Sequence, residues 1–371
     1  GKSTLLSLIA EQARRYRSRP RPDGSRIPAT ITAFDKGRSL YVPCSASGGI
    51  HYDIGSDDVG GLALCPLAGI DTPSERLWAQ EWIETCFELQ TGSSLQPEQK
   101  SEVARATSLL SNASRNERSL THFMLKVQDR EISAALEHYA SDKGMGHLLN
   151  GTEDALRISS FTVFEVDELM KLGDKNAIPV LLYLFRKFER SLTGQPAFLL
   201  LDEAWVTLGH PVFREKLRGW LKELRKQNCA VVMATQSLSD AVRSGLLDVL
   251  IESCPTKILL PNAEADMYGT KDNPGPADLY KAFGLSDHEI NLLKNAQPKR
   301  DYYYTSPLGR QMINLELGPL ALSFVGVSDK DTLREVKAME GRYGSDWPVY
   351  WMRKRGVDYE KYTKPEAKRA A

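Results

Sequence analysis

Short apolar runs recur along this chain, and segments with helical spacing of apolar residues separate them. The helical segments include 3–17, 175–190 and 211–226, and the apolar runs lie at 29–34, 156–166, 197–205, 229–236 and 257–261. Apolar runs of this length, alternating with helices, are typical of a parallel sheet whose two faces are covered. The sequence therefore predicts an α/β fold with a mainly parallel sheet.

Two regions depart from this alternation. Between residues 74 and 150 the spacing is helical throughout, which favours an all-helical insertion over a set of crossover helices. Residues 301–327 contain three strand-like runs joined by Pro-Leu-Gly and Gly-Pro turns, which favour an antiparallel C-terminal extension. We also expect short strands and turns over 38–72.

These patterns divide the chain into four segments. We expect the first part of the core at 1–73, the helical insertion at 74–150, the remainder of the core at 151–328, and a C-terminal helix with a tail at 329–371. The basic end of that tail, KYTKPEAKRAA, is expected to be disordered.

The composition excludes several classes of protein. Lys+Arg and Asp+Glu both number 48, so the net charge is zero, whereas a protein whose whole surface wraps nucleic acid is usually basic. The balanced total does not exclude a local basic stripe. Five cysteines without a C-x-x-C pair predict buried thiols in a reducing compartment, with neither a disulfide framework nor a structural metal. No apolar run is long enough to span a membrane.

The chain begins with Gly1-Lys2-Ser3-Thr4, directly before a predicted helix. In the phosphate-binding pattern G-x-x-x-x-G-K-[ST], backbone N–H groups hold the phosphates, the lysine reaches the outer phosphates, and the hydroxyl ligates Mg²⁺. Lys2 and Ser3 fit those roles, although four residues alone are a weak signal. Because only the last half of the pattern is present, we read the chain as a fragment of a longer protein and expect it to be inactive on its own.

A second signal is the apolar run 198–201, which ends in Asp202 and Glu203. Open α/β sheets bind ligands at the carboxyl ends of their strands. Asp202 there would hold Mg²⁺, and Glu203 would orient and polarise the attacking water. Two solvated acids that cap a strand are the alternative. The upstream Gly-Lys-Ser-Thr favours the catalytic interpretation.

Two further residues fit nucleotide hydrolysis. Gln236 follows the next strand and would sense the γ-phosphate, or else caps the helix that follows. Arg225 lies at the end of a helix before that strand, a position from which an arginine reaches a neighbouring subunit in ring ATPases and neutralises transition-state charge. The alternative for Arg225 is a helix-terminal charge that offsets the dipole. Asp35 ends another strand, and we interpret it as a turn acid.

Longer motifs resemble one family. The segments LLLDEAW, WLKELRKQN, ATQSLSDA and CPTKILLPNAEA, together with FEVDELM (164–170), YKAFGLSDHEI (280–290) and the tail YYYTSPLGRQMINLELGPLALSFVG, resemble the ATPases that assemble type IV secretion and conjugation machines. These form the TrbE/CagE family of the HerA/FtsK-like motors, and the tail is most similar to TrbE-type conjugal transfer proteins. The similarity covers nearly the whole chain.

The resemblance implies a RecA-like P-loop NTPase that forms a homo-oligomer, a hexamer, at the cytoplasmic side of the bacterial inner membrane. It implies ATP and Mg²⁺ as ligands, inner-membrane components of a type IV secretion system as partners, and ATP hydrolysis that powers machine assembly and substrate transfer. It also implies the roles given above for Lys2, Ser3, Asp202, Glu203, Arg225 and Gln236. A DNA-pumping coupling ATPase, with DNA as a partner, and a non-hydrolysing assembly scaffold are the alternatives.

Overall fold

The structure is a computed structural model that describes residues 1–55, 62–203, 211–236, 238–243, 245, 247–358 and 360–363. The chain forms two compact units. Unit 1 comprises residues 1–51, 159–165 and 193–371, and unit 2 comprises residues 52–158 and 166–192.

The helices in the described residues are, in chain order, α1 (Lys2–Ala13), α2 (Tyr41–Ala46), α3 (Pro73–Thr91), α4 (Pro97–Ser111), α5 (Leu120–Met124), α6 (Arg130–Ala140), α7 (Gly146–Leu149), α8 (Asp167–Lys171), α9 (Asp174–Ser191), α10 (Pro211–Glu223), α11 (Leu238–Arg243), α12 (Leu247–Ser253), α13 (Pro276–Ala282), α14 (Asp287–Asn295), α15 (Pro319–Val325), α16 (Lys330–Tyr343), α17 (Trp347–Lys354) and α18 (Glu360–Thr363). The strands are β1 (Thr30–Asp35), β2 (Ile50–Asp53), β3 (Phe161–Glu165), β4 (Ala197–Asp202), β5 (Cys229–Ala234), β6 (Lys257–Leu259), β7 (Asp301–Ser306) and β8 (Gly309–Asn314).

The main sheet has the strand order β2-β3-β1-β4-β5, and the pairs β1–β3, β1–β4 and β4–β5 are parallel. Parallel pairing brings the carboxyl ends of the strands to one edge. We call this the carboxyl edge, formed by Asp35, Glu165, Asp202 and Ala234. The opposite end, formed by Ala29, Pro196 and Asn228 just before their strands, is the amino edge. This sheet confirms the predicted α/β class.

Helix α1 packs on the main sheet through one apolar face. Leu6, Ala10 and Ala13 recur at helical spacing, and they pack with buried residues of β1, β3 and β4, including Ile31 and Leu200. Burial of an aliphatic side chain of this size contributes about 1.5–3 kcal/mol. This packing fixes the helix against the sheet and holds its first turn at the carboxyl edge.

A second sheet, β6-β7-β8, is antiparallel and forms the predicted C-terminal extension. Its strand β6 was expected in the parallel sheet, so that placement is wrong. The run 320–327 was expected to be a strand, but it largely belongs to helix α15. Pro319 occupies the first helical turn after Gly318, where a missing N–H costs nothing.

The expected strand in 38–72 is also partly wrong, because Tyr41–Ala46 is helix α2. Pro43 lies in its first turn, where the N–H has no partner within the helix, whereas a proline is disfavoured inside a sheet. Strand β2 does lie in this region.

Unit 2 is built from helices α3 to α9. Its core includes Trp82, whose indole N–H donates to the carbonyl oxygen of Pro179 at 2.9 Å. The unit contains the whole helical block 74–150, and it also contains α8 and α9, which the sequence division had placed in 151–328. Of the segment expected to be disordered, residues 364–371 lie outside the described residues. None of the helices that the structure describes is both long and apolar enough to cross a membrane.

Candidate functional site

A lysine lies between two acids at the carboxyl edge. Lys2 Nζ is 3.0 Å from Asp202 Oδ1, and it also contacts Glu203 Oε1. The side chains of Lys2 and Glu203 are 16% and 18% exposed, and that of Asp202 is 2% exposed. The structure thus brings together three of the predicted site residues, which are about 200 positions apart in the chain.

The amino end of helix α1 contributes backbone donors to the same place. Gly1 precedes the helix, no side chain caps it, and Leu5 N–H donates to Gly1 O at 3.0 Å. The N–H groups of the first turn therefore have no acceptor within the helix. Ser3 and Thr4, half-buried, lie in this turn. Such a terminus attracts anions, because N–H groups and the helix dipole act together.

Asp202 has an incompletely satisfied carboxylate. Burial raises the pKa of Asp202, and the Lys2 ammonium opposes that rise. Its buried Oδ1 accepts no hydrogen bond of normal geometry from the described residues, although it forms the ion pair with Lys2. Ser3 likewise forms no side-chain hydrogen bond in this part of the chain. A carboxylate and a hydroxyl with free oxygen valences fit a hard cation such as Mg²⁺.

Glu203 has an unusual backbone conformation. Its φ of 52° lies in the left-handed region, while its N–H donates to Ala234 O at 3.1 Å. A non-glycine residue pays about 1–2 kcal/mol for this conformation. Backbone strain of this kind clusters at functional sites. The turn lets the side chain of Glu203 approach Lys2 directly after strand β4.

Asp35 and Glu165 lie beside Asp202 in the strand register, and both are buried. Asp35 holds the turn before α2, as interpreted from the sequence: it accepts hydrogen bonds from the Ser39 hydroxyl at 2.8 Å and the Leu40 N–H at 2.7 Å. Burial raises the pKa of Asp35 to about 6, although these donors oppose the rise. Ser39 O in turn accepts a hydrogen bond from Ser7 of α1 at 3.1 Å.

Sequence reasoning missed the role of Glu165. Its carboxylate accepts hydrogen bonds from the N–H groups of Gly37 and Arg38. Ligand atoms of Asp35, His51 and Glu165 lie within 4.8 Å of one another, a grouping that spacing in the sequence does not reveal. Both carboxylates already hold the 37–40 turn, so this cluster is explained by its structural role. An acid at the end of a buried strand was the available signal.

Gln236 follows β5 on the same edge as the acids. Asp202 is paired in register with Ala234, two residues before Gln236. The Gln236 side chain is exposed, and it makes no hydrogen bond to the described residues. Its position is therefore compatible with contact to a ligand above Asp202.

Arg225 lies at the other end of the sheet. It belongs to a short 3₁₀ segment, Leu224–Gln227, directly before β5, and its side chain is exposed. Strand β5 has six residues and spans roughly 17 Å, which is longer than an arginine side chain. Arg225 is thus not brought to the Lys2 site of its own chain.

Comparison with known proteins identifies relatives of this chain. The model of the TraG P-loop domain matches residues 116–303, slightly more than half of the chain. A probable conjugal transfer protein TrbE of Sinorhizobium fredii is 48% identical over 359 residues, which cover 96% of this chain and 51% of that protein. The conjugal transfer protein TrbE of Rhizobium radiobacter is also 48% identical, over 96% of this chain and 42% of its own length. The chain thus spans about half or less of these curated relatives.

A solved structure confirms the expected fold. VirB4 of Thermoanaerobacter pseudethanolicus superposes with a TM-score of 0.63 and 20% identity, over 87% of this chain and 88% of that chain. Together with the family match, this similarity confirms the predicted RecA-like P-loop architecture. The chain belongs to the TraG P-loop domain family, and it is homologous to the TrbE conjugal transfer proteins.

Proposed function

We propose that this chain is the motor part of an ATPase that powers assembly of, and substrate transfer through, a bacterial type IV secretion or conjugation machine. The observation that carries the proposal is the position of Lys2, at an uncapped helix terminus and between Asp202 and Glu203. The homology to conjugal transfer proteins supports the machine in which it works.

The ionic contacts define the roles of the residues. Lys2 and the first-turn N–H groups of α1 bind the phosphates of ATP, so Lys2 exchanges a carboxylate for a phosphate partner. Ser3 and Asp202 would hold Mg²⁺, which neutralises phosphate charge when it is bound. Release from Lys2 leaves Glu203 able to accept a proton from the attacking water. Gln236 senses the outer phosphate.

Arg225 acts on a neighbouring subunit in this proposal. Its exposure and its distance along the sheet from Lys2 favour contact with a nucleotide held by another copy, so we propose a homo-oligomer, a hexamer, whose sites are completed between subunits. The guanidinium stays charged at every relevant pH and neutralises charge in phosphoryl transfer.

The homology suggests the cellular setting. We propose that the protein works at the cytoplasmic side of the bacterial inner membrane and contacts inner-membrane components of a type IV secretion system. The two relatives named above are conjugal transfer proteins, which favours this setting.

Steady-state hydrolysis of ATP by the full-length protein tests the proposal. We expect Mg²⁺-dependent turnover, and Asp202→Asn should lower it by roughly two orders of magnitude or more, because a metal ligand is lost. Asp272→Asn, at an exposed position, is the matched control and should leave turnover unchanged. Nucleotide binding without turnover in the parent protein would indicate a scaffold instead of a motor.

Mixing two inactive variants tests the role of Arg225 between subunits. Glu203→Gln subunits still present Arg225, and Arg225→Ala subunits still hold Glu203. Co-assembled mixtures should therefore recover part of the activity at shared interfaces, whereas each variant alone stays inactive. Absence of recovery in mixtures shown to co-assemble would leave Arg225 as a helix-terminal charge.

A further inference from the structure

The amino edge carries a hairpin-like excursion between α1 and β1. Ser18 N–H donates to Ile27 O at 2.8 Å, Arg21 N–H donates to Ser25 O at 2.9 Å, and Arg17 forms a bridge with Pro28. These bonds order residues 16–29, which we call the arginine hairpin. Residues 14–26 contain six arginines and one aspartate, in a chain whose net charge is zero.

The arginine hairpin forms one wall of a concave groove. The groove has a volume of about 630 Å³, and its other wall comes from the segments that lead into β4 and β5. Arg17, Arg19 and Arg21 line it, and no acidic residue does so. Alternate positions along an extended segment point to the same side, which explains why these three arginines share one surface.

Two of these arginines are available to a ligand. Arg17 Nη1 donates to the carbonyl oxygens of Arg14 at 2.5 Å and Tyr16 at 2.9 Å. Arg19 and Arg21 are exposed, and their side chains form neither a hydrogen bond nor an ion pair with the residues that the structure describes. Unpaired guanidinium groups on a rigid hairpin are suited to phosphate oxygens.

The groove also contains an exposed aromatic ring. Tyr16 is 61% exposed, and its ring rests against Phe198 with centroids 5.4 Å apart. A supported aromatic ring beside guanidinium groups is the combination on which unpaired bases stack while phosphates meet positive charge.

We propose that this groove binds single-stranded nucleic acid, with a base stacked on Tyr16 and backbone phosphates on Arg19 and Arg21. The concave shape and the aromatic ring favour a strand over a membrane surface, which is contacted by protruding side chains. The site lies at the amino edge, away from Lys2, so it does not depend on nucleotide at the carboxyl edge.

Fluorescence anisotropy with a labelled oligothymidylate tests the proposal in the absence of ATP. Arg19→Ala/Arg21→Ala should weaken binding by about tenfold and lower the slope of log affinity against log salt by about 1.4, since each phosphate contact on a single strand contributes about 0.7. Tyr16→Ala should weaken binding by about tenfold, and Tyr16→Phe should retain it, because stacking needs the ring and not the hydroxyl.

The matched control removes the same charge elsewhere. Arg26 is exposed on the same hairpin but does not line the groove, and Arg300 is exposed in the C-terminal extension. Arg26→Ala/Arg300→Ala should change the affinity less than twofold. An equal loss in this control, or unchanged binding by Arg19→Ala/Arg21→Ala, would overturn the proposal.

Two competitors separate this ligand from other polyanions. Unlabelled single strands should displace the probe, and duplex DNA should do so far less well. Equal displacement by the duplex would contradict a stacked base. Co-sedimentation with phosphatidylglycerol vesicles that depends on Arg19 and Arg21, without binding of the oligonucleotide, would assign the hairpin to a membrane and overturn the proposal.

Discussion

At the carboxyl edge of the main sheet, the Lys2 ammonium contacts two acids, whereas at the amino edge Arg19 and Arg21 face solvent in a groove that no acid lines. The two edges differ in burial, and burial explains the difference in pairing. A buried carboxylate such as Asp202 needs a partner, while an exposed guanidinium is satisfied by water. The carboxyl edge therefore suits an exchange of partners, and the amino edge suits the capture of an added anion.

The largest expected effect is on catalysis at the carboxyl edge. Glu203→Gln should lower ATP hydrolysis by the full-length protein by roughly two to four orders of magnitude, because a positioned base is lost, while ATP binding is retained. The control is Glu264→Gln, at an exposed position, which should hydrolyse ATP at the parental rate. If Glu203→Gln also retains that rate, then Glu203 is not the base.

A pH effect should also be confined to the carboxyl edge. The pKa of Asp35 is raised from 3.8 to about 6 in the folded protein. The folded state thus holds this proton more tightly than the unfolded state does, so stability is lost as the pH rises from about 4 to about 6. The rise corresponds to about 3 kcal/mol.

Denaturant unfolding at several pH values measures this effect. The stability of Asp35→Asn relative to the parent should improve by about 3 kcal/mol between pH 4 and pH 7, because the variant has no carboxyl to ionise. Asp346→Asn, at an exposed position, should show no such trend. A difference between Asp35→Asn and the parent that is independent of pH would mean that Asp35 titrates normally.

A smaller effect concerns the backbone of Glu203, whose φ is 52°. Glycine adopts this conformation without strain, so Glu203→Gly should be more stable to unfolding than Glu203→Gln by about 1 kcal/mol. Both variants lose the charge, and the comparison therefore isolates the backbone. At Glu264, the same two substitutions should not favour glycine. Equal stability of the two Glu203 variants would argue against strain at this turn.

The smallest effect is expected at the amino edge. Arg19→Ala/Arg21→Ala should change the free energy of unfolding by no more than about 0.5 kcal/mol, since exposed and unpaired side chains contribute little to stability. Thermal or denaturant unfolding checks this. A clear loss of stability would show that these arginines have a structural role, and that the contrast between the two edges is weaker than described.

Much of the main sheet was predictable, since its strands are continuous apolar runs and its helices have one apolar face. The position of Arg225 away from Lys2 also follows from sequence, because a residue before a parallel strand lies opposite one after it. The failures have a shared cause. Strand partners are not encoded locally, so β6 was assigned to the wrong sheet, and the short apolar runs at α2 and α15 were read as strands despite prolines in their first turns.

For the candidate site, sequence order predicted that Lys2 and the acids after β4 would meet. It did not predict the row formed by Glu165, Asp35 and Asp202, because a row across three strands depends on their spatial order and register. Nor did it predict the left-handed backbone of Glu203. The groove at the amino edge was hidden by a net charge of zero, since six clustered arginines are balanced by acids elsewhere in the chain.

The central claim is that Lys2 exchanges its carboxylate partners for phosphates. Calorimetric titration of the full-length protein with Mg²⁺·ATP, using the parent and Lys2→Ala, tests it most directly. We expect binding by the parent and roughly 10- to 100-fold weaker binding by Lys2→Ala, because a charge-assisted contact is lost. Lys299→Ala, at an exposed position, should bind like the parent. Equal affinity of Lys2→Ala and the parent would contradict the assignment of this site.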